Sequence, residues 1–245
     1  MSASRVAATA ARVLSQLRRD PRTLALLLVV PCVLILLVDQ LFAGRQQVFQ
    51  SVGVPMLGLF PLISMFLVTS ITMLRERTTG TLERLLTTPL TKLELLLGYA
   101  IAFAALAIVQ VTVVSIVGFG ILGLESVHSN LLIVLLAVAN ALLGMAFGLF
   151  VSAFAQSEFQ AVQFMPAFVL PQILLCGLFV ARDQMAEWLQ WVSAVLPLTY
   201  AFDALDRAAH DPTLGPRFFA DVAIVVGATL LALVLGAATL RRRTP

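Results

Sequence analysis

The polar stretch at residues 75 to 94, RERTTGTLERLLTTPLTKLE, combines residue types that suit the binding of another protein. Within it the sequence predicts a short helix that begins at Gly80 and ends at Pro89, because proline disfavours helix at the residue before it. Glu83, in the first turn, faces the positive end of the helix dipole. One side of this helix is an apolar strip made of Leu82, Leu85 and Leu86. So short a helix is marginal in water without tertiary contacts, so the strip needs a groove to fill.

Two kinds of groove fit this strip. It could pack on the ends of the apolar segments of its own chain, or it could dock into a groove of a partner protein. The residues alone leave both interpretations open. The next helix has its own start signal, because Thr91 and Glu94 form a T-x-x-E capping box. We therefore expect the whole connection to be structured.

The chain lacks the motifs of common catalytic and cofactor sites. It has no G-x-x-x-x-G-K-[ST] loop to hold nucleotide phosphates, no H-E-x-x-H and no G-x-S-x-G. Its two histidines, His128 and His210, stand alone in predicted loops, and its two cysteines fall inside apolar runs. We expect no catalytic residue, no metal site and no cofactor bound by this chain, so any ATP-driven work would need a partner.

The composition indicates which elements position these residues. Of the 245 residues, 60% are hydrophobic and 12% are charged, whereas soluble domains have about 25% charged residues. Such a chain cannot cover its own surface with polar groups, so membrane lipid must be the solvent for much of it. The net charge of +3 is small and no basic face with interleaved aromatic residues is visible, which argues against nucleic acid as a partner.

Six apolar segments reach, or nearly reach, the roughly 20 residues that a helix needs to cross a membrane. They lie at 24–42, 52–74, 95–124, 131–155, 159–181 and 218–240. Before them, residues 4–19 place arginines on one side of a helix and apolar residues on the other, which is typical of a helix lying flat on a membrane. The predicted fold is an all-α membrane protein with six transmembrane helices and an N-terminal amphipathic interfacial helix.

Two further features complete the predicted architecture. Most Lys and Arg residues fall on the face that holds both termini and residues 75 to 94, so we expect that face to be cytoplasmic. Between the fifth and sixth spans, residues 183–209 carry Trp and Tyr, which favour the headgroup level, and Pro197 interrupts their helical pattern. We expect two short helices there, lying at or dipping into the outer leaflet.

Five polar residues within the spans are candidates for a substrate route. Hydrocarbon makes polar groups costly unless they face protein or water. The candidates are Thr69, Ser70, Asn140, Gln163 and Gln172. Each could either pack against a neighbouring helix or line a route across the membrane, and the sequence leaves both open. In the fifth span, Pro166 and Pro171 free carbonyls that a cavity or a neighbouring helix must satisfy.

The stretch RERTTGTLERLLTTPLTKLELLLGY closely resembles the segment between the second and third spans of permease subunits of type-2 ATP-binding-cassette (ABC) exporters. That group includes daunorubicin-resistance permeases and polysaccharide exporters. The resemblance extends to AQSEFQAVQFMP at 155 to 166 and to LPLTYAFDAL at 196 to 205. The order, the spacing and the six-span layout match over almost the whole chain.

This resemblance implies that residues 80–89 are the coupling helix, held in a cleft of a separate cytoplasmic ATPase subunit. The contact residues that it implies are Gly80, Thr81, Leu82, Glu83, Arg84, Leu85, Leu86 and Pro89. Glu158 and Gln160, with Gln156, would form a second and smaller contact. The family also implies two ATPase subunits, which bind ATP and Mg, and a second permease subunit that is identical to this chain or a close paralogue.

The function implied by the resemblance is efflux of a hydrophobic or amphipathic substrate, such as a drug, a lipid or a lipid-linked glycan, across the plasma membrane. Apolar and aromatic spans favour such a substrate. Two other classes stay open: a membrane-embedded lipid-modifying enzyme and a non-transporting membrane scaffold. The enzyme would act without an ATPase partner, and the scaffold would bind a partner without substrate-stimulated ATP hydrolysis.

Overall fold

The computed structural model describes residues 2–81 and 91–239, and within these ranges the regular structure is helical. The α-helices are, in chain order, α1 (Ala3–Arg18), α2 (Pro21–Leu41), α3 (Gln46–Thr78), α4 (Lys92–Ser115), α5 (Asn130–Val151), α6 (Glu158–Leu175), α7 (Glu187–Val195), α8 (Pro197–His210) and α9 (Pro216–Thr239). After α4 the chain continues as a π-helix over Ile116–Ile121, and a 3₁₀ turn at Arg182–Gln184 precedes α7.

Five helices of the described chain are long and apolar enough to cross a membrane. They are Pro21–Leu41, Gln46–Thr78, Leu93–Ile121, Asn130–Val151 and Pro216–Thr239. The predicted fifth span falls on α6, which is not in this set. α6 has 18 residues, and Glu158, three glutamines and two prolines make it less apolar than the others. An all-α membrane protein is therefore confirmed, whereas the count of six spans is not.

Two helices end earlier than the predicted spans 95–124 and 159–181. α4 gives way to the π-helix at Ile116, where Gly118 and Gly120 lower the helix propensity. α6 ends at Leu175, and Gly177 then adopts a φ of 105°. That left-handed conformation cannot continue a right-handed helix, so residues 176–181 are irregular.

Helices α3 and α5 form the centre of the molecule and pack closely along each other. In each of them, 61% of the most apolar 18-residue stretch, which we call its apolar window, is buried inside the molecule. Gly144 and Gly148 allow the two backbones to approach: a Cβ atom at Gly144 would lie 2.2 Å from the carbonyl oxygen of Leu62, and one at Gly148 would lie 2.4 Å from that of Phe66. Small residues four apart are a common device for close helix packing in membranes.

Helices α2 and α9 lie at the periphery, with 17% and 22% of their apolar windows buried. Large apolar side chains of α2, such as Leu26 and Leu37, are therefore exposed on the outside of the molecule. Helix α1 packs on the beginning of α4, where a Cβ atom at Gly98 would lie 2.5 Å from the Cβ of Thr9. The predicted interfacial helix, 4–19, corresponds to α1.

The molecule has two ends of different character. At one, which we call the α1 end, α1 lies beside the last turns of α3 and the first turn of α4, and α6 begins beside the last turns of α3. The opposite end, the α8 end, holds α7 and α8, the two helices that cover the predicted segment 183–209. α8 reaches into the bundle, since the carbonyl of Ala201 accepts from Nδ2 of Asn140 in the middle of α5 at 3.4 Å.

Candidate functional site

The predicted partner-binding segment, residues 80–89, connects α3 to α4, whose adjoining ends lie at the α1 end. Of its residues, Gly80 and Thr81 are described, whereas Leu82, Glu83, Arg84, Leu85, Leu86 and Pro89 lie outside the described residues. α3 ends at Thr78, with Thr79 as its C-cap, and Gly80 follows with a φ of 70°. A left-handed glycine just after the C-cap is a common helix stop, so Gly80 turns the chain away from α3.

The other flank of the segment is held by the predicted capping box, which is confirmed. Oγ1 of Thr91 accepts a hydrogen bond from the backbone N–H of Glu94 at 3.2 Å, and Oε2 of Glu94 accepts one from the backbone N–H of Thr91 at 2.9 Å. Oε1 of Glu94 also accepts from the backbone N–H of Ser2 at 2.7 Å. One carboxylate therefore caps the start of α4 and anchors the start of α1.

A second polar contact ties α1 to the α1 end of the bundle. Nη1 of Arg12 donates to Oε1 of Glu76 at 3.0 Å, and Nη2 of Arg12 donates to the hydroxyl oxygen of Tyr99 at 2.6 Å. Glu76 is in the last turns of α3 and Tyr99 is in α4. The side chain of Glu76 is 6% exposed and that of Arg12 is 27% exposed, so the carboxylate is largely shielded from water. The contact joins α1 to α3 and α4, the helices on either side of the partner-binding segment.

Glu158, predicted as part of a second partner contact, is paired with the end of α3. Nε of Arg75 donates to Oε1 of Glu158 at 2.7 Å, and Nη2 of Arg75 donates to Oε2 of Glu158 at 3.0 Å. These hydrogen bonds hold the pKa of the Glu158 carboxyl below its usual range. The pair is about half exposed on both sides. Glu158 of the second predicted contact region, 156–160, thus lies beside Arg75 near the end of α3, the helix that precedes the first predicted region, 80–89.

Gln160, the other predicted contact residue of this region, takes part in capping α6. Its backbone N–H donates to Oγ of Ser157, the N-cap residue, at 3.2 Å. Its Oε1 accepts from the backbone N–H of Gln156 at 2.8 Å. Within the chain, Gln160 therefore stabilises the turn that presents Glu158.

The five predicted route residues do not come together at one place. Thr69 is fully buried between α3 and α5, where its hydroxyl donates to the carbonyls of Met65 and Met145. Ser70 is also buried, and its Oγ has no hydrogen-bond partner among the described residues. Gln163 is exposed on the surface of α6.

Asn140 and Gln172, by contrast, approach the same helix. Nδ2 of Asn140 donates to the carbonyl of Ala201, and Oε1 of Gln172 accepts from the backbone N–H of Leu198 at 3.4 Å. Leu198 is in the first turn of α8, where backbone N–H groups have no partner within the helix. These two side chains therefore hold the inserted part of α8.

Sequence reasoning missed the internal partners at the α1 end. The roles of Arg12, Arg75 and Tyr99 depend on helices that are far apart in the chain, so no local pattern indicates them. The Ser157 and Gln160 pair, however, was visible as an S-x-x-Q capping signal. Over residues 2–81 and 91–239, no three His, Cys, Asp or Glu side chains are placed to hold a metal ion.

Comparison with known proteins indicates a family for this arrangement. The sequence profile of the ABC-2 type transporter family matches residues 5–208. The "Probable multidrug ABC transporter permease YbhR" of Escherichia coli (strain K12) is 30% identical over 148 residues, which are 60% of this chain and 40% of that protein. "Probable multidrug ABC transporter permease YbhS" of the same strain is 30% identical over 140 residues, 57% of this chain and 37% of that protein.

A eukaryotic relative is also similar. "ABC transporter G family member 20" of Dictyostelium discoideum is 28% identical over 142 residues, which are 56% of this chain and 19% of that protein. The part matched in each of these curated relatives is thus well below two thirds of its length.

Proposed function

The chain belongs to the ABC-2 type transporter family, and from that premise we propose that it is the transmembrane permease subunit of an ATP-driven exporter. The match over residues 5–208 is the observation that carries this proposal. The chain has no phosphate-binding loop of its own. ATP and Mg would therefore be bound by separate ATPase subunits, and this chain would convert their motion into movement of a substrate.

The partner-binding segment, 80–89, is the proposed coupling helix. Both of its flanks support this role, because Gly80 ends α3 sharply and the capping box fixes the start of α4. Glu83, Arg84 and the apolar strip of Leu82, Leu85 and Leu86 would contact the cleft of the ATPase subunit. Glu158 and Gln160 would add the smaller contact, and their nearness to Arg75 supports a shared docking surface.

The proposed topology has six spans, with both termini on the cytoplasmic side of the plasma membrane. The excess of Lys and Arg at the α1 end supports the orientation. The path of α6 supports including 159–181 as a span, which brings the number of spans to six. α6 begins beside Arg75 at the α1 end, and its Gln172 contacts the start of α8. Two ATPase subunits and a second permease, identical or paralogous, complete the proposed assembly in the lipid bilayer.

The proposed substrate is hydrophobic or amphipathic, such as a drug, a lipid or a lipid-linked glycan. The printed names of YbhR and YbhS as multidrug permeases support the drug class. The proposed route residues are Thr69, Ser70, Asn140, Gln163 and Gln172, of which Gln163 is the exposed one. Gln163→Leu should reduce substrate-stimulated ATP hydrolysis more than basal hydrolysis; equal loss of both would assign Gln163 to packing.

Reconstitution with an ABC ATPase subunit from the same genome tests the proposed function. The two proteins should co-purify, and a hydrophobic drug should stimulate ATP hydrolysis in liposomes and be exported. Glu83→Ala should weaken co-purification and stimulation while the permease stays folded. Glu125→Ala, an exposed change at the α8 end, is the matched control and should leave both unchanged. Drug movement by the purified chain without any ATPase would contradict the proposal.

A further inference from the structure

Gln110 lies fully buried in α4, at a place where three helices meet. Its Nε2 amide donates to the backbone carbonyl of Leu27 in α2 at 3.0 Å and also to Oγ of Ser64 in α3. The hydroxyl of Ser64 donates in turn to the backbone carbonyl of Phe60 at 2.9 Å. One side chain therefore joins α4 to both α2 and α3.

The contact with α2 occurs at the carbonyl that a proline leaves without a donor. In a regular helix the N–H of residue 31 would donate to the carbonyl of residue 27, but Pro31 has no N–H. Leu27 is 2% exposed, and hydrocarbon offers no substitute donor. The Gln110 amide supplies the hydrogen bond that Pro31 removes from α2.

The orientation of the Gln110 amide follows from its partners. A backbone carbonyl can only accept, so the NH₂ group must face Leu27. Its two hydrogens are then used by Leu27 and Ser64. Oε1 is buried without a hydrogen-bond partner among the described residues. An unpaired buried oxygen destabilises the folded state. The amide NH₂ group is therefore the part of the Gln110 side chain that this position requires.

Helix α2 has few other attachments, because 17% of its apolar window is buried. Helix α4, in contrast, begins at the capping box that directly follows residues 82–90. A displacement of the partner-binding segment would therefore act directly on the capped start of α4. Gln110 is the polar connection from α4 to α2, at the point where Pro31 interrupts the hydrogen-bond ladder of α2.

We propose that Gln110 is a positioning residue that makes α2 follow α4 when an ATPase partner moves the segment before α4. This inference rests on the proposed function. The proline gap lets α2 bend at Leu27 to Pro31, and the amide of Gln110 fixes that bend to α4. The pair of Pro31 and Gln110 thereby links the driven helix to the outermost helix of the bundle.

A double-mutant cycle tests the hydrogen-bond account without any transport assay. Gln110→Leu should lower the midpoint of thermal unfolding of the purified chain in detergent, because the Leu27 carbonyl loses its donor. Pro31→Ala restores an N–H at residue 31, so Gln110→Leu should lower the midpoint clearly less in that background. Equal shifts in the two backgrounds would overturn the proline-gap account. Thr112→Val is the matched control, since Thr112 is exposed on α4 and donates to the carbonyl of Ile108.

Export by the reconstituted complex tests the transmission step. Gln110→Leu should keep ATPase binding and basal hydrolysis but reduce drug export about tenfold or more, equivalent to about 1.4 kcal/mol. The double variant Pro31→Ala/Gln110→Leu should regain thermal stability without regaining export. Recovery of export together with stability would show that Gln110 acts only in folding, and the proposal would then fail. Absence of export by the unaltered complex would instead refute the proposed function, while the thermal cycle would still decide the hydrogen-bond account.

Discussion

The central helix pair and the outer helix α2 are held in the bundle in different ways. α3 and α5 touch through their backbones at Gly144 and Gly148, along windows that are 61% buried. α2, by contrast, has 17% of its apolar window buried, and Gln110 reaches its backbone at the proline gap. The central pair resists relative movement, because backbone contacts leave no side chain that could adjust.

This difference indicates that the bundle has a rigid central part and a more easily displaced outer helix. The close contact of α3 and α5 provides a rigid frame, since packed interiors are not continuously deformable. A helix with few buried contacts costs less to displace. At the α1 end, Glu76 in α3 and Glu94 in α4 both bind α1, which thereby joins the two helices that flank the partner-binding segment.

Gly144→Ala should have the largest effect, because it forces the central pair apart. The new Cβ would lie 2.2 Å from the backbone carbonyl oxygen of Leu62. Neither atom can move away by a side-chain rotation, so the two helices would have to separate. We expect a loss of about 3 kcal/mol or more, or failure to accumulate as folded protein. Cys32 is partly exposed, so in a Cys32→Ser background the reaction of the buried Cys176 thiol with a fluorogenic reagent during heating measures the unfolding.

Gly227→Ala is the control for this substitution. Gly227 lies within α9, and nothing approaches within 4 Å of the position of its Cβ. Alanine has the higher helix propensity, so this variant should be as stable as the original chain or slightly more stable. Equal destabilisation by both variants would show that the central pair is no tighter than the periphery.

The second prediction compares the truncation of a leucine in the central pair with that of a leucine in α2. Leu62→Ala, which removes a side chain that is 1% exposed in α3, should cost about 2 to 5 kcal/mol. Leu26→Ala in α2 removes one that is 65% exposed, and should change stability by less than about 0.5 kcal/mol. Thermal unfolding in detergent compares the two directly. A large loss for Leu26→Ala would mean that α2 is not the weakly held helix.

Sequence reasoning reached what depends on residues close together in the chain. The capping box of Thr91 and Glu94 is confirmed because its two partners are three residues apart. The all-α membrane class is confirmed, and it could be predicted because apolar runs of about 20 residues indicate membrane-spanning helices. Sequence reasoning missed the close contact at Gly144 and Gly148, although a G-x-x-x-G in an apolar segment is a local signal for it.

What sequence reasoning could not reach depends on three-dimensional proximity. The contact of Gln110 with Leu27 joins positions 83 residues apart, and that of Arg12 with Glu76 joins positions 64 apart. Nothing near either residue indicates its partner. Gln110 reads as one polar residue in an apolar run until α2 is placed beside it. The early end of α6 did have a signal, since Gly177 follows its last residues.

The third prediction asks whether the α1 end holds α4 as firmly as the centre holds α3. Glu94→Ala removes the bond that caps Thr91 and the anchor of Ser2 together, and should lower the midpoint of thermal unfolding. Thr91→Ala removes one capping bond alone and should cost less. If both variants lost the same stability, the bond from Ser2 to Glu94 would contribute nothing. Protease cleavage within α1 offers a second measurement, since release of the anchor should speed it in the Glu94 variant alone.

The smallest effect concerns the exposed pair of Arg75 and Glu158, which lies on the surface of the α1 end just before the apolar part of α6. Hydrogen bonds from Arg75 hold the pKa of Glu158 below its usual range, so the folded state favours the charged form. The resulting stability is present above the ordinary glutamate value of about 4.3 and is lost as the pH falls through the lowered pKa. Because both side chains are about half exposed, solvent screening limits the effect to about 0 to 1 kcal/mol.

Glu158→Gln should therefore be slightly less stable than the original chain at pH 7, and the difference should shrink below about pH 4.3. Thermal midpoints measured across that range provide the comparison, with Glu125→Gln as the control for general loss of a carboxylate at the α8 end. Added salt should reduce the difference at pH 7, because exposed charges are screened. A difference that persisted at low pH and high salt would mean that Glu158 is held by packing, in the manner of the central pair.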